Sequence, residues 1–128
     1  MSILVTGCAG FIGSHVCEFL LKRGEMVIGL DNLNDYYDIE VKNNNLKILN
    51  YYDNFEFVKE DIRTTKIIEQ KKPDKIIHLA SMAGVRYSID NPQIYVDVNI
   101  NGFINILEQA TNFNVKQLYM LVVVVFMV

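Results

Sequence analysis

The sequence predicts an α/β protein built on a doubly wound parallel sheet, with strands in the order 3-2-1-4-5. Three observations carry that expectation. Ile3, Leu4 and Val5 form a short apolar run closed by Thr6, and glycines follow at positions 7, 10 and 13. A second run, Met26 to Leu30, ends in the acid Asp31. Further strand-like runs alternate with stretches of helical period, the pattern of parallel strands joined by crossover helices.

Residues 1–13 read as a buried strand, a tight turn and the start of a helix. Gly7 permits the turn, Gly10 lets a phosphate approach the backbone, and Gly13 lets the helix lie close on the strand. The free N–H groups at that helix start, at Phe11, Ile12 and Gly13, suit a pyrophosphate. A glycine-rich turn with no ligand has the same spacing. The strand before it, the helix after it and Asp31 at the end of the next strand favour the dinucleotide reading. Asp31 would accept from both hydroxyls of an adenosine ribose. No Arg or Lys follows it directly, and a 2′-phosphate would meet its charge, so NAD is expected over NADP.

Phe11 to Arg23 reads as a helix with Ile12, Val16, Phe19 and Leu20 on its apolar face, stopped by Gly24. His15 and Glu18 fall on the solvated side. The polar, aromatic segment 32–38 is either a plain surface loop or one in which Asn32 and its neighbours line the adenosine pocket. Ile39 to Leu49 reads as a short helix through Val41, Leu46, Ile48 and Leu49, weakened by Asn43, Asn44 and Asn45. Phe55 to Lys59 alternates as the third strand. Asp61 and the Ile62 amide just past it could read the edge of adenine, and Asp61 also fits a cap on the helical run to Lys71.

Lys75 to Ala80 is an unbroken run suited to a strand covered on both faces. Leu79, Ala80 and Ser81 sit at its carboxyl end, in the crevice where open α/β sheets bind ligands. His78 reads as a packed strand-end histidine rather than a catalyst. Arg86 is the lone cation of the next segment. It is either a surface ion pair or a bidentate contact to a substrate phosphate or carboxylate. Asn91 and Pro92 open the clearest helix, with Ile100, Phe103, Ile104, Leu107, Ala110 and Thr111 as its stripe through to Asn112. Asn99, near that stripe, is either a buried amide satisfied by backbone or a contact to the nicotinamide half of the cofactor.

The chain has 128 residues, 51% hydrophobic and 21% charged, with a formal net charge of −3. That is enough for one domain with a real core, and no basic face is implied, so nucleic acid and anionic membrane are poor partners. Cys8 and Cys17 have no metal-type spacing and read as reduced thiols. Met1 leads straight into the first strand without a signal peptide, so the cytoplasm is expected.

The segments Asp31-Asn32-Leu33-Asn34-Asp35-Tyr36-Tyr37-Asp38 and His78-Leu79-Ala80-Ser81-Met82-Ala83-Gly84-Val85-Arg86-Tyr87-Ser88, with Asn91-Pro92, carry a family resemblance. With the three-and-three glycine spacing, they resemble the NAD-dependent sugar epimerase/dehydratase family of the extended short-chain dehydrogenase/reductases, and within it the UDP-glucuronate 4-epimerases. Ser81-Met82 departs mildly from the Ala-Gln usual there. The resemblance implies a Rossmann-like NAD-binding domain, a nucleotide-sugar substrate and, in the family, a homodimer that is doubtful for this chain. It also implies hydride transfer from sugar C4 to NAD, rotation of the 4-keto sugar and return of the hydride to the other face. A Tyr-x-x-x-Lys pair and a Ser or Thr after the fifth strand carry that chemistry in the family.

The resemblance covers Met1 to about Leu118 and only the front third of a family member. None of the three catalytic groups is present, so no residue here is expected to be catalytic. Residues 1–118 are expected to form the front of the NAD-binding domain, without a substrate domain, and 119–128 an apolar tail. Leu118 to Val128 could all be a fifth strand, since parallel strands tolerate unbroken apolar runs. Written in AT-rich codons, Tyr119 to Val128 yields Tyr-Ala-Ser-Ser-Ser-Ser-Ile-Tyr-Gly in a shifted frame, the serine-rich segment of the family. A frameshifted or misread epimerase gene is the expectation. A free-standing nucleotide-binding module is the alternative. A membrane tether is not expected, since a span needs about 20 residues.

Overall fold

The computed structural model describes residues 1–121. Five parallel strands form one sheet: β1 (Ser2–Thr6), β2 (Met26–Asp31), β3 (Phe55–Lys59), β4 (Lys75–His78) and β5 (Gln117–Met120). Their order is β3-β2-β1-β4-β5, as predicted. Thr6 stands opposite Leu30 on one side and His78 on the other, so the carboxyl ends of the three central strands are level.

The central strand has no face toward water. Ile3 and Val5 pack with Cys17, Leu21, Leu46 and Leu49 beneath α1 (Phe11–Lys22) and α2 (Ile39–Leu49). Leu4 points the other way, among Ile67, Ile68, Ile76 and Ile106, beneath α3 (Ile67–Lys71) and α6 (Phe103–Asn112). Burial on both faces is why β1 reads as an unbroken apolar run. α4 (Val85–Asp90) and α5 (Pro92–Tyr95) follow β4, and a π-helical segment, Val96–Gly102, joins α5 to α6.

The buried helix faces differ from the expected ones. In α1 the inward residues are Gly13, Ser14, Cys17 and Leu21, whereas Ile12 and Phe19 are exposed. Gly13 must face Gly7, and this close approach sets the rotation of the whole helix. In α2 the inward residues are Lys42, Leu46 and Leu49, with Val41 and Ile48 outside. In α6, Ile106 and Ala110 are buried, while Ile104, Leu107 and Thr111 face solvent, as does Ile100 in the π-helical segment before it. There the π-helical turn shifts the phase, and Gly102 comes against Ile62.

Two boundaries also move. β4 stops at His78, because β1 turns away at Gly7 (φ +73°): the Leu79 amide is shared between Thr6 O and Thr6 Oγ1, and the Ala80 amide donates to Thr6 Oγ1 alone. α3 starts only at Ile67, with Lys66 at its N-cap, so Asp61 does not cap it: Asp61 Oδ1 accepts from the Arg63 amide at 2.9 Å in the turn before, and the Ile67 amide donates to Thr65 Oγ1 at 3.1 Å. Of the expected apolar tail, Tyr119 and Met120 belong to β5, opposite Ile77 and His78. Its remainder from Val122 on, with the shifted-frame reading, lies outside the described residues. Among the described residues no helix is long and apolar enough to cross a membrane.

Candidate functional site

At the carboxyl ends of the strands lies a cleft of about 640 Å³. It is lined by Gly7, Gly10, Phe11, Ile12 and Gly13 from the glycine loop and by Asp31 and Asn32 after β2. Asp61 and Ile62 after β3, and Leu79, Ala80 and Ser81 after β4, complete that wall. Residues dispersed over 75 positions of sequence therefore meet because four parallel strands end at one level.

The glycine loop is held by short bonds. Gly7 N–H donates to Leu30 O at 2.7 Å and Gly10 N–H to Gly7 O at 3.2 Å. A Cβ on Gly13 would lie 1.9 Å from Gly7 O, which is possible only for glycine. Gly10 is the N-cap of α1 and offers no side-chain acceptor, and the first turn carries no acid. The amides of Phe11, Ile12 and Gly13 thus have no acceptor within the helix and carry the positive end of its dipole. An anion placed there would satisfy them.

Asp31 is 7% exposed. Its Oδ2 accepts from Ala9 N–H at 3.1 Å and its Oδ1 from Leu33 N–H at 2.9 Å, fixing the carboxylate while each oxygen keeps a lone pair. Lys42 arrives from α2, its ammonium 3.8 Å from Asp31 Oδ1 and bonded at 3.0 Å to both the backbone oxygen and Oδ1 of Asn34. No lysine follows Asp31 directly in sequence, yet the fold delivers Lys42 beside it.

Asp61 grips Arg63 bidentately, at 3.0 Å to Nε and 2.7 Å to Nη2, and Asn32 Nδ2 reaches it at 3.5 Å. The hydrogen bonds from Arg63 hold its carboxyl below the usual carboxylate range. The Ile62 N–H has no acceptor among the described residues and is free to meet a base edge.

The floor of the cleft depends on Thr6 and His78. Thr6 Oγ1 accepts from the Leu79 and Ala80 amides at 3.0 and 3.1 Å. With its lone pairs used, the hydroxyl donates to His78 Nδ1 at 2.8 Å, which assigns His78 the neutral tautomer protonated at Nε2. Burial pushes the His78 pKa down to about 4, and its ring stacks on Phe103. His78 is thus the packed histidine expected. Burial likewise pushes the Cys17 thiol up to about 12 and raises Cys8, so neither is a thiolate.

Asn99 and Arg86 do not line the cleft. Asn99 is the backbone-satisfied amide: its Oδ1 accepts from Met82 N–H at 2.7 Å and its Nδ2 donates to Met82 O at 2.9 Å. It touches the cleft only by holding Met82, which lines it. Arg86 is exposed on α4 and forms no ion pair among the described residues.

Sequence reasoning missed Lys42 and Asn45. Asn45 Nδ2 donates to Ala9 O at 2.9 Å and pins the glycine loop to α2. A signal for Lys42 was present: positions 42, 46 and 49 share one helix face, and two of them are leucine.

Residues 4–124 match the family model described as GDP-mannose 4,6 dehydratase. The chain belongs to this family. It is 50% identical over 119 residues to a UDP-glucuronate 4-epimerase of Thermodesulfobacterium geofontis, covering 90% of this chain and 37% of that protein. It is 46% identical over 122 residues to Protein CapI of Staphylococcus aureus, covering 92% and 36%. A crystal structure of a UDP-glucuronic acid 4-epimerase variant from Bacillus cereus, in complex with a fluorinated UDP-glucuronic acid and NAD, superposes with a TM-score of 0.88. Identity there is 36%, over 94% of this chain and 39% of that one. The chain therefore spans little more than a third of these family members' length, and the shared part is the parallel sheet with its cleft.

Proposed function

We propose that the cleft is an NAD site and that the chain is the cofactor-binding part of a nucleotide-sugar 4-epimerase acting on a UDP-glucuronate-like substrate. One observation carries the reading: a helix start whose first three amides have no acceptor among the described residues opens into the same cleft as the fixed carboxylate of Asp31. A pyrophosphate fits the first and a ribose diol the second. Asp61 and the Ile62 amide would take the adenine edge. Leu79, Ala80 and Ser81 would line the path toward the nicotinamide, with Asn99 fixing the loop behind them. NAD, when bound, supplies hydride acceptance and return. Arg86 is assigned to an anionic group of the sugar nucleotide.

The 128 residues hold no Tyr-x-x-x-Lys. The chain by itself is therefore proposed to bind without turning over, which also keeps the reading of a non-catalytic nucleotide-binding module in view. Calorimetric titration of this chain should give NAD binding tighter than NADP binding. NADP binding equal to or tighter than NAD binding contradicts the role of Asp31. In an epimerase assay, UDP-glucuronate with this chain and NAD should stay at the blank rate. Turnover above blank would overturn the inactivity.

A further inference from the structure

We propose that Tyr36, Tyr37, Tyr87 and Tyr95 form a clasp that closes the cleft over its ligand and sets how fast a dinucleotide enters and leaves. Tyr87 and Tyr95 are positioning residues of that clasp, since neither lines the cleft. The proposal rests on the reading of the cleft as an NAD site.

β1 lies between β2 and β4, so the loops leaving β2 and β4 start two strand spacings apart, about 9–10 Å, with the glycine loop between them. They nevertheless meet. Asn34 Nδ2 donates to Met82 Sδ at 3.7 Å, and the Tyr36 ring lies 4.8 Å from that of Tyr87. Gly84 sits at φ +100°, and a Cβ on it would run into the Tyr36 hydroxyl, so only glycine lets the two loops touch there. Asn34, Tyr36 and Tyr37 line the cleft from one loop, Met82 and Ala83 from the other. Contact between two such loops passes over the glycine loop that separates them. A dinucleotide whose pyrophosphate sits on the amides of Phe11, Ile12 and Gly13 therefore lies beneath that contact.

The clasp is anchored from outside the cleft. Tyr95, on α5, places its hydroxyl 2.7 Å from both Ala83 O and Gly84 O and donates to them. Tyr87, on α4, packs on Tyr36 and stands 6.3 Å from the Tyr95 ring. Tyr37 backs Tyr36 edge-on at 4.8 Å. Rings thus run from the loop after β2 to α5. The clasp is shallow: Tyr37 is 59% exposed and Tyr87 37%. Aromatic pairs and a few hydrogen bonds near solvent hold it, so it can open while the sheet stays intact. A ligand that passes beneath it waits for that opening both on the way in and on the way out.

Stopped-flow mixing with NADH, followed by its fluorescence, gives the association rate, and displacement of bound NADH by excess NAD gives the release rate. Tyr87→Ala and Tyr95→Phe each remove one anchor and leave the cleft wall untouched. Each should raise both rates together by about three- to tenfold, the scale of one aromatic pair or one hydrogen bond, with Kd held within about twofold. Tyrosines that only shape the bound state would behave differently: release alone would speed up, and Kd would weaken by the same factor. Faster release with unchanged association in a folded variant therefore overturns the proposal. Circular dichroism checks folding, and where Tyr87→Ala fails to fold, Tyr95→Phe, which removes a single hydroxyl, decides alone. Wild type binding neither NADH nor NAD overturns the NAD reading itself and the clasp with it. Binding that is intact in wild type, with rates that ignore both substitutions, overturns the clasp alone.

Discussion

Gly13→Ala should destabilise the fold by about 3 kcal/mol or more, because the added methyl is forced against backbone rather than a yielding side chain. Its Cβ would stand 1.9 Å from Gly7 O and 2.8 Å from Gly7 C. Gly7 has little room to retreat: it sits at φ +73°, and a Cβ built on it would stand only 3.0–3.1 Å from the backbone of Leu79 and Ala80. The helix would have to lift from the sheet and carry Cys17 and Leu21 out of the core. Against a total of about 5–15 kcal/mol for a domain, that is a large fraction. Gly10→Ala is the contrast. Its Cβ meets only Gly7 O, at 3.4 Å, and φ is −74°, so stability should hold within about 1 kcal/mol. NAD binding should nevertheless fall, since that methyl occupies the approach of the phosphate. Urea denaturation of both variants, with NAD titration of the folded one, checks the pair. Equal stability losses would contradict the distinction between a packing glycine and a ligand glycine.

Acid should act first through His78. Its pKa is pushed down to about 4 by burial, from an ordinary 6.5. Between those values the unfolded chain binds the extra proton and the folded chain does not, so stability falls as pH drops from 6.5 toward 4 and levels off below. By pH 4.5 the loss should be about 2–3 kcal/mol. Protonation at Nδ1 would also set a donor against the Thr6 hydroxyl. Asp61 is also shifted down, but as a carboxylate held charged by Arg63: its stabilising charge is lost only as pH falls below the ordinary 3.8, so the two windows separate. Urea melts from pH 7 to 4 should show the slope, and His78→Gln should flatten it. A slope unchanged in His78→Gln would contradict the assignment. Thr6→Val should cost about 2–5 kcal/mol at pH 7, since it strands the Ala80 amide and His78 Nδ1 in a buried site.

The sheet order and the cleft were legible because each rests on a local signal. Glycines at 7, 10 and 13 fix a turn, and an acid after the second strand marks its end. Helix faces were less legible. In α1 apolar periodicity pointed to Ile12 and Phe19, but the contact of Gly13 with Gly7 governs the rotation, and a glycine has no hydropathy to count. In α6 the π-helical turn at Val96–Gly102 breaks the constant period that such counting assumes. Lys42 was passed over because a lysine reads as solvent-facing, although it shares a face with Leu46 and Leu49. Asn99 was placed near the site but its partner, Met82, could be found only from the fold.

The most direct test of an NAD site at the glycine loop is a backbone-amide NMR titration of the folded chain with NAD. The amides of Phe11, Ile12, Gly13, Leu33 and Ile62 should shift together along one saturating curve. Shifts confined to the opposite end of the sheet, around the smaller cavity of about 200 Å³ between Leu20, Lys75 and Tyr119, would contradict it, as would no shift at all.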